Sequence, residues 1–286
     1  ISITIKKIGT HIGAEITDVD IASPISKECF ALLSKAFHQY SVLVFRGQNI
    51  NDEQHIMFSE GFGSVEDTIA SDPIGDGGPI GIISNIDDNG DLILPDDKRM
   101  LYQKANSLWH SDGSFRRIPL RGSLLSAKEI PRNGGETEFA SLRAAYAALT
   151  KERKKLIKHL VAEHSIAYSR AQIAPGLMDE EFAQDTPPEI HPLVRTIPET
   201  DEEVLLIGSY ATHIIGLPLH EGKTLLQELL DWTTQPQFLY LHSWQKHDLV
   251  MWDNYSCLHR GRPWDGQNHR RIMHRTTLSG RSPANT

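Results

Sequence analysis

The chain has 286 residues, 39% hydrophobic and 23% charged, with 29 Lys and Arg against 37 Asp and Glu for a net charge of −8. That is enough chain to bury a sizeable core, and the composition is that of a soluble globular protein; the acidic balance argues against a nucleic-acid partner, which needs a basic face. No apolar run approaches the ~20 residues that span a bilayer, so no membrane partner is expected, and the two cysteines, Cys29 and Cys257, point to free thiols in a reducing, cytoplasmic setting.

Ile1–Lys7 alternates apolar and polar residues and reads as a first strand rather than a signal peptide. Over 26–40, Phe30, Leu33, Phe37 and Tyr40 recur at helical spacing. Ser41–Phe45 (SVLVF), stopped by Gly47, reads as a short buried strand, and 52–60 as a second helix ending near Gly61 and Gly63. Residues 67–100 are rich in Gly, Asp, Asn and Pro and read as a long loop, a length that usually carries function. Residues 121–127 read as a strand, and 141–148 and 151–161 as helices with Thr150 as a cap between them. Residues 171–192, with Pro175, Pro187, Pro188 and Pro192, read as another loop. Val204–Ile207 is an expected strand, and 219–233 a helix burying Leu225, Leu226, Leu229 and Leu230. Further strands over 237–244, 248–252 and 270–278 make the C-terminal part β. Short strands between turn residues favour a sandwich or barrel over a parallel sheet. With no repeat and no shift of composition, residues 1–286 are expected to form a single domain, helices packed around a β core.

Three segments can carry chemistry. In Trp109-His110-Ser111-Asp112, His110 and Asp112 are two apart and point to one side of an extended chain, where both could bind one metal. A second histidine would complete a two-histidine, one-carboxylate face, which suits Fe(II) because it leaves positions open. With 14 histidines in the chain a bare His-X-Asp is also a plausible coincidence. His259 follows the run LVMWD and a turn at Asp253-Asn254, where a strand end could aim a ligand inward; a hydrogen-bonded surface histidine is the bland alternative. In Arg270–Thr277, the side chains of Arg271, Met273 and Arg275 share one face of a strand. Two arginines on one face need anions opposite them or an exposed edge.

Together these segments resemble the 2-oxoglutarate-dependent dioxygenases of the taurine dioxygenase group, and within it the 2,4-dichlorophenoxyacetate dioxygenases. The resemblance runs along nearly the whole chain: SVLVFRGQ at 41–48, ISN at 83–85, NSLWHSDGSF at 106–115, GGETEF at 134–139, LVRT at 193–196, IGSYATHIIGLP at 207–218, and DLVMWDN with LHRGR at 248–262. It implies a mainly β fold with flanking α-helices, a distorted double-stranded β-helix or jelly roll. It implies Fe(II) held by His110, Asp112 and His259, with 2-oxoglutarate and O2 as co-substrates. Thr137 and Arg271 would bind the distal carboxylate of 2-oxoglutarate, Asn106 would hydrogen-bond the co-substrate near the metal, and Arg275 would bind the acidic group of a small anionic organic substrate. His213 lies in a family block, either lining the substrate pocket or as a buried structural histidine. Trp109 and Trp252 read as core packing. Cys257, two residues before His259, reads as a small buried hydrophobe rather than an oxidation target. A homo-oligomer is compatible with all of this.

The implied reaction oxidises 2-oxoglutarate to succinate and CO2 and hydroxylates the substrate; next to an ether oxygen the product would fall apart to a phenol and an oxoacid. Within the family a sulfonate, an alkyl sulfate or an amino-acid-derived acid is the alternative substrate. Outside it stand a zinc hydrolase, which needs no arginine for 2-oxoglutarate, and a non-catalytic jelly-roll binding module, which needs no complete triad. Two departures stand out. The 66–82 loop (EDTIASDPIGDGGPIGI) lacks the basic residue of the phenoxyacetate enzymes, and the spacing from His259 to Arg271 is one residue longer, which leaves Arg270 as an alternative in its role.

Overall fold

Val42, Leu43, Val44 and Phe45 are consecutive apolar residues, and all four are buried. A strand without polar alternation needs cover on both sides. The structure, a computed structural model describing residues 3–72 and 75–281, provides it. Ile1 and Ser2 of the expected first strand, and Pro73 and Ile74 of the expected loop, lie outside the described residues. In chain order the elements are β1 (Thr4–Lys7), β2 (Ala14–Thr17), α1 (Lys27–Tyr40), β3 (Val42–Phe45), α2 (Asp52–Glu60), β4 (Gly81–Ser84), α3 (Lys98–Lys104), β5 (Gly122–Glu129), β6 (Thr137–Ser141), α4 (Leu142–Ala147), α5 (Lys151–Ile157), β7 (Val161–His164), α6 (Ile166–Ala171), α7 (Glu180–Asp185), β8 (Glu189–Pro192), β9 (Val194–Ile197), β10 (Glu202–Leu205), β11 (Ala211–Ile214), α8 (Leu219–Thr233), β12 (Leu239–His242), β13 (Leu249–Asp253), β14 (Cys257–Gly261) and β15 (Ile272–Leu278). The class is mainly β with helices around it.

Seven strands form one sheet in the order β1-β2-β3-β13-β5-β15-β4, antiparallel except for the β2–β3 pair. Successive residues of its central strands go to opposite faces. Leu43, Phe45, Leu124, Leu249 and Met251 pack against Leu33 and Phe37 of α1 and Phe58 of α2. Val42, Val44, Leu125, Val250, Trp252 and Met273 instead meet Phe139 and Cys257 of the smaller sheet β12-β6-β14. β14, which carries His259, is an edge strand of that smaller sheet.

Helix ends follow the sequence closely. Ser26 Oγ accepts from Cys29 N at the start of α1, Asn51 and Gln54 form a reciprocal capping box on α2, and Thr150 Oγ1 accepts from Arg153 N on α5, as expected of a cap. Of the four leucines expected to be buried on α8, Leu226 and Leu229 are, while Leu225 and Leu230 are half-buried against the same cluster.

Other expectations need correction. The 67–100 loop contains β4 and the start of α3. β4 is only GIIS, and its strand state comes from pairing with β15, a tertiary effect that local pattern does not carry. The helix expected over 151–161 stops at Ile157, because Val161 opens β7, which is paired on both sides by β8 and β11. The proline-rich 171–192 segment holds α7 and β8; Pro192 is tolerated at the end of an edge strand. The strand expected at Val204–Ile207 lies earlier, at Glu202–Leu205, where β9 pairs with it.

Candidate metal centre

Two antiparallel backbone bonds join the first candidate segment to β14: His110 N donates to His259 O at 3.1 Å, and His259 N to His110 O at 2.8 Å. This bridge sets the two imidazoles side by side, ring centroids 4.1 Å apart. Asp112, two residues on, turns its carboxylate to the same place. Its Oδ1 is 3.8 Å from His110 Nε2 and its Oδ2 3.7 Å from His259 Nε2, and the three ligand atoms lie within 4.8 Å of one another, all on buried residues. These separations are too long for direct hydrogen bonds. They suit ligands around one ion, whose bonds of about 2.1 Å hold facial ligand atoms on the order of 3–4 Å apart.

The protonation states fit a cation. Burial alone would raise the Asp112 carboxyl, but Arg275, both imidazoles and the Ser123 hydroxyl outweigh it and hold it well below the usual carboxylate range. Ser123 Oγ donates to Oδ2 at 2.7 Å and Arg275 Nη1 to Oδ1 at 3.2 Å. Burial, with His110 alongside, pushes His259 down to about 3, and burial also lowers His110. Both imidazoles are therefore neutral near pH 7. His110 Nδ1 lies 2.7 Å from Leu108 O, which makes Nδ1 the N–H and leaves the Nε2 lone pair for a metal.

A cavity of about 610 Å³ opens from these ligands, and His110, His259, Asn106, Thr137, Arg271 and Arg275 all line it. Its apolar wall includes Ile83, Ile93, Pro95, Met100, Trp252 and Trp264. Arg271 immediately precedes β15, whose pairing with β5 steps from Glu129 to Ala127 between Ile272 and Met273. It still faces the sheet interior with Met273 and Arg275. Its backbone N donates to Asn85 Oδ1 at 2.8 Å, and Asn85 Nδ2 donates to Gly266 O and His269 O. Its Nε is buried with no hydrogen-bond partner among the described residues, and burial pushes the guanidinium down to about 10. A cation without an acidic partner, facing a cavity, is a fitted seat for an anion. Arg270 points away, bonded to Glu129 and Gly90 O. Thr137 Oγ1 accepts from Trp244 Nε1 at 3.0 Å, which leaves its hydroxyl hydrogen free for the cavity.

His213 is not brought to this cavity. On β11 its Nδ1 lies 2.7 Å from Thr212 Oγ1 and 3.8 Å from Glu163 Oε1, and it is absent from the lining; its side chain is half-buried, so it is not the buried histidine of the structural alternative either. Trp109 packs in the core under Arg260, and Trp252 is both core and cavity wall. Cys257 is free and fully buried, its thiol pushed up by burial, a small hydrophobe in practice. Sequence reasoning missed Ser123, Asn85 and Trp244, whose roles exist only through tertiary contacts with Asp112, Arg271 and Thr137. It also missed Tyr210, edge-on to His110 at 5.9 Å.

The family model for taurine catabolism dioxygenase TauD, TfdA family, matches residues 4–277. The chain is 40% identical over 257 residues to the alpha-ketoglutarate-dependent 2,4-dichlorophenoxyacetate dioxygenase of Burkholderia sp. (strain RASC), covering 85% of this chain and 83% of that protein. It is 34% identical over 284 residues to the (S)-phenoxypropionate/alpha-ketoglutarate-dioxygenase of Sphingobium herbicidovorans, covering 96% and 94%. The crystal structure of AAD-2 in complex with Mn(II) and N-oxalylglycine superposes with a TM-score of 0.91 at 38% identity, covering all of both chains.

Proposed function

The chain belongs to the TauD/TfdA dioxygenase family, and from that premise we propose that it is an Fe(II)- and 2-oxoglutarate-dependent dioxygenase that hydroxylates a small organic acid, an aryloxyacetate such as 2,4-dichlorophenoxyacetate. The two facing sheets are read as its distorted double-stranded β-helix, and residues 1–286 as one domain. The observation that carries the assignment is the buried His110, Asp112 and His259 cluster opening onto a cavity whose deep cation, Arg271, has no acidic partner among the described residues.

His110 and His259, neutral, and Asp112, ionised, would hold Fe(II). The bound ion, with 2-oxoglutarate and O2, supplies the oxidising chemistry that yields succinate, CO2 and a hydroxylated substrate. Arg271 would take the distal carboxylate of 2-oxoglutarate by a forked contact, Thr137 would add its hydroxyl, and Asn106 lies in the lining where it would meet the co-substrate. Arg275 would hold the substrate's acidic group within reach of the metal ligands. The apolar residues Ile83, Ile93, Pro95 and Met100 would cover an aryl ring and exclude water. Hydroxylation at the carbon next to the ether oxygen gives a hemiacetal that collapses to a phenol and an oxoacid.

The test is succinate and phenol release from the purified protein with Fe(II), 2-oxoglutarate and a panel of aryloxyalkanoates, sulfonates and alkyl sulfates. Release of succinate and phenol together, dependent on both Fe(II) and 2-oxoglutarate, is expected with aryloxyacetates. Turnover confined to sulfonates or sulfates would move the substrate class, and turnover without 2-oxoglutarate would overturn the assignment.

A further inference from the structure

We propose that Asn254 is a positioning residue of the metal centre: through Ser123 it dictates which way a single hydroxyl hydrogen points, and so how the Asp112 carboxylate is presented to the ion. The inference rests on the reading of Asp112 as a metal ligand.

Asn254, Ser123 and Asp112 are 1%, 0% and 6% exposed, so no bulk water rearranges their bonds. The Asn254 side chain is used at both ends. Its Oδ1 accepts from the backbone N of Asp112 at 3.1 Å and from Trp252 Nε1 at 3.0 Å. Two N–H groups on this atom identify it as the oxygen, which fixes the other terminal atom as the amide nitrogen. That nitrogen, Nδ2, donates to Ser123 Oγ at 3.1 Å. The hydroxyl of Ser123 has one hydrogen. With a lone pair occupied by Asn254, the hydrogen goes to Asp112 Oδ2, 2.7 Å away. The relay therefore has one direction, amide to hydroxyl to carboxylate.

Two consequences follow. One carboxylate oxygen is held by Ser123 and the other by Arg275, so the carboxylate plane cannot swing freely. The same Asn254 oxygen fixes Trp252, whose ring lies 4.7 Å from that of His259. One side chain thus braces the segment that bears Asp112 and the wall against which His259 rests. The backbone of Asn254 is itself anchored, its N–H donating to Arg121 O at 3.1 Å and its O accepting from Arg195 Nη2 at 2.9 Å.

The sharpest test is Asn254→Asp, equal in shape. A carboxylate there still accepts from Asp112 N and Trp252, but its second oxygen cannot donate to Ser123. It draws the Ser123 hydrogen to itself and strips Asp112 Oδ2 of its donor. Ser123→Ala removes that donor with only a small change of volume and serves as the second variant. Both are titrated with Co(II) in the absence of 2-oxoglutarate, following the d–d spectrum, alongside Asp112→Ala and thermal unfolding of the metal-free proteins. The expected result is a loss of Co(II) affinity of about 10- to 100-fold, typical when a ligand loses its orienting partner, with an altered d–d band in both variants and metal-free folding retained. Asn254→Gln, which keeps the amide but moves it, should fall between the native protein and Asn254→Asp. Native affinity and spectrum in both Asn254→Asp and Ser123→Ala, with Asp112→Ala unable to bind, would overturn the relay and leave the site standing. Native affinity in Asp112→Ala would overturn the site itself.

Discussion

Replacing Arg271 by Leu should stabilise the metal-free protein while crippling 2-oxoglutarate binding, two effects of opposite sign from one cause. The guanidinium is enclosed and has no acidic partner among the described residues, and burial pushes it down to about 10, more than two pH units below an ordinary arginine. At ~1.4 kcal/mol per pH unit the charged form costs the empty protein on the order of 1–3 kcal/mol, the lower end because the cavity admits water. The sign follows: a folded-state value below the unfolded one means that the positive charge opposes folding at all pH below about 10. A leucine removes that cost. Binding of a dianionic co-substrate supplies the missing partner, so its loss should cost roughly 2–5 kcal/mol, which is about 30-fold to several-thousand-fold in affinity. Arg271→Lys keeps the charge but not the forked contact and should be intermediate. Calorimetric titration of Mn(II)-loaded protein with 2-oxoglutarate, paired with thermal unfolding of the metal-free form, reads both effects. Affinity within threefold of native in Arg271→Leu would refute the assignment, and Arg270, which is bonded to Glu129 on the surface, would offer no structural rescue.

Three further outcomes are expected. His110→Ala, Asp112→Ala and His259→Ala should each abolish Fe(II) and Co(II) binding together with turnover, because a three-ligand face has no spare; metal titration of each checks this. Arg275→Ala should raise KM for the acid at least tenfold more than KM for 2-oxoglutarate, and esters of the acid should be poor substrates, by steady-state kinetics. His55 and His164 are fully buried and pushed down to about 3, in each case mainly by burial. Unfolded, they take protons near pH 6.5, so the metal-free protein keeps its full stability above that pH. It should lose up to ~1.4 kcal/mol per pH unit per histidine as pH falls from 6.5 toward 3. Urea melts at pH 7 and pH 5 measure the loss, and His55→Leu should flatten the dependence.

Elements that bury a continuous or periodic apolar surface were legible in the sequence. The run SVLVF is β3, sandwiched by helices on one face and the small sheet on the other, and the leucines of 219–233 mark α8 to the residue. The candidate metal ligands His110, Asp112 and His259, which the structure brings together, were legible as a resemblance, and His110 and Asp112 also as a local spacing, because two residues apart is a geometric statement in an extended chain. Ser123 and Asn254 were not. A serine inside a buried strand and an asparagine at a turn are ordinary in any sequence; only the 2.7 Å contact from Ser123 to Asp112, 11 residues away, and the 3.1 Å contact from Asn254 to Ser123, 131 residues away, give them meaning. Arg271 could be placed on a face with Arg270 left as the alternative; contacts distant in the chain separate the two, Arg270 being bonded to Glu129 and Gly90 O while Arg271 lines the cavity.

The substrate end of the cavity is harder to read, for a reason of physics rather than of missing signal. β4 and the start of α3 supply Ile83 and Met100 to the cavity, and both lie in the 67–100 stretch whose composition reads as loop. A wall that faces a cavity need not carry the unbroken periodicity of a wall that faces a core, so short elements with two or three apolar residues suffice. The same view reduces the weight of the acidic 66–82 segment. Among the described residues none of it lines the cavity; Glu66 is spent on Arg116 at 3.3 Å, and Thr68 closes its own turn onto Gly78, Asp76 and Gly77. A basic residue there would not be needed for an acid to dock if Arg275 serves. Arg275 is engaged by Asp112 at 3.2 Å, however, whereas Arg271 has no acidic partner among the described residues. Asp112 would hold the ion, and its negative charge, shared with the ion, would then bind Arg275 less tightly and leave the arginine more available to an incoming anion. Two arginines four residues apart would therefore differ in what frees them: Arg271 has no acidic partner among the described residues, and Arg275 would depend on the charge state of Asp112.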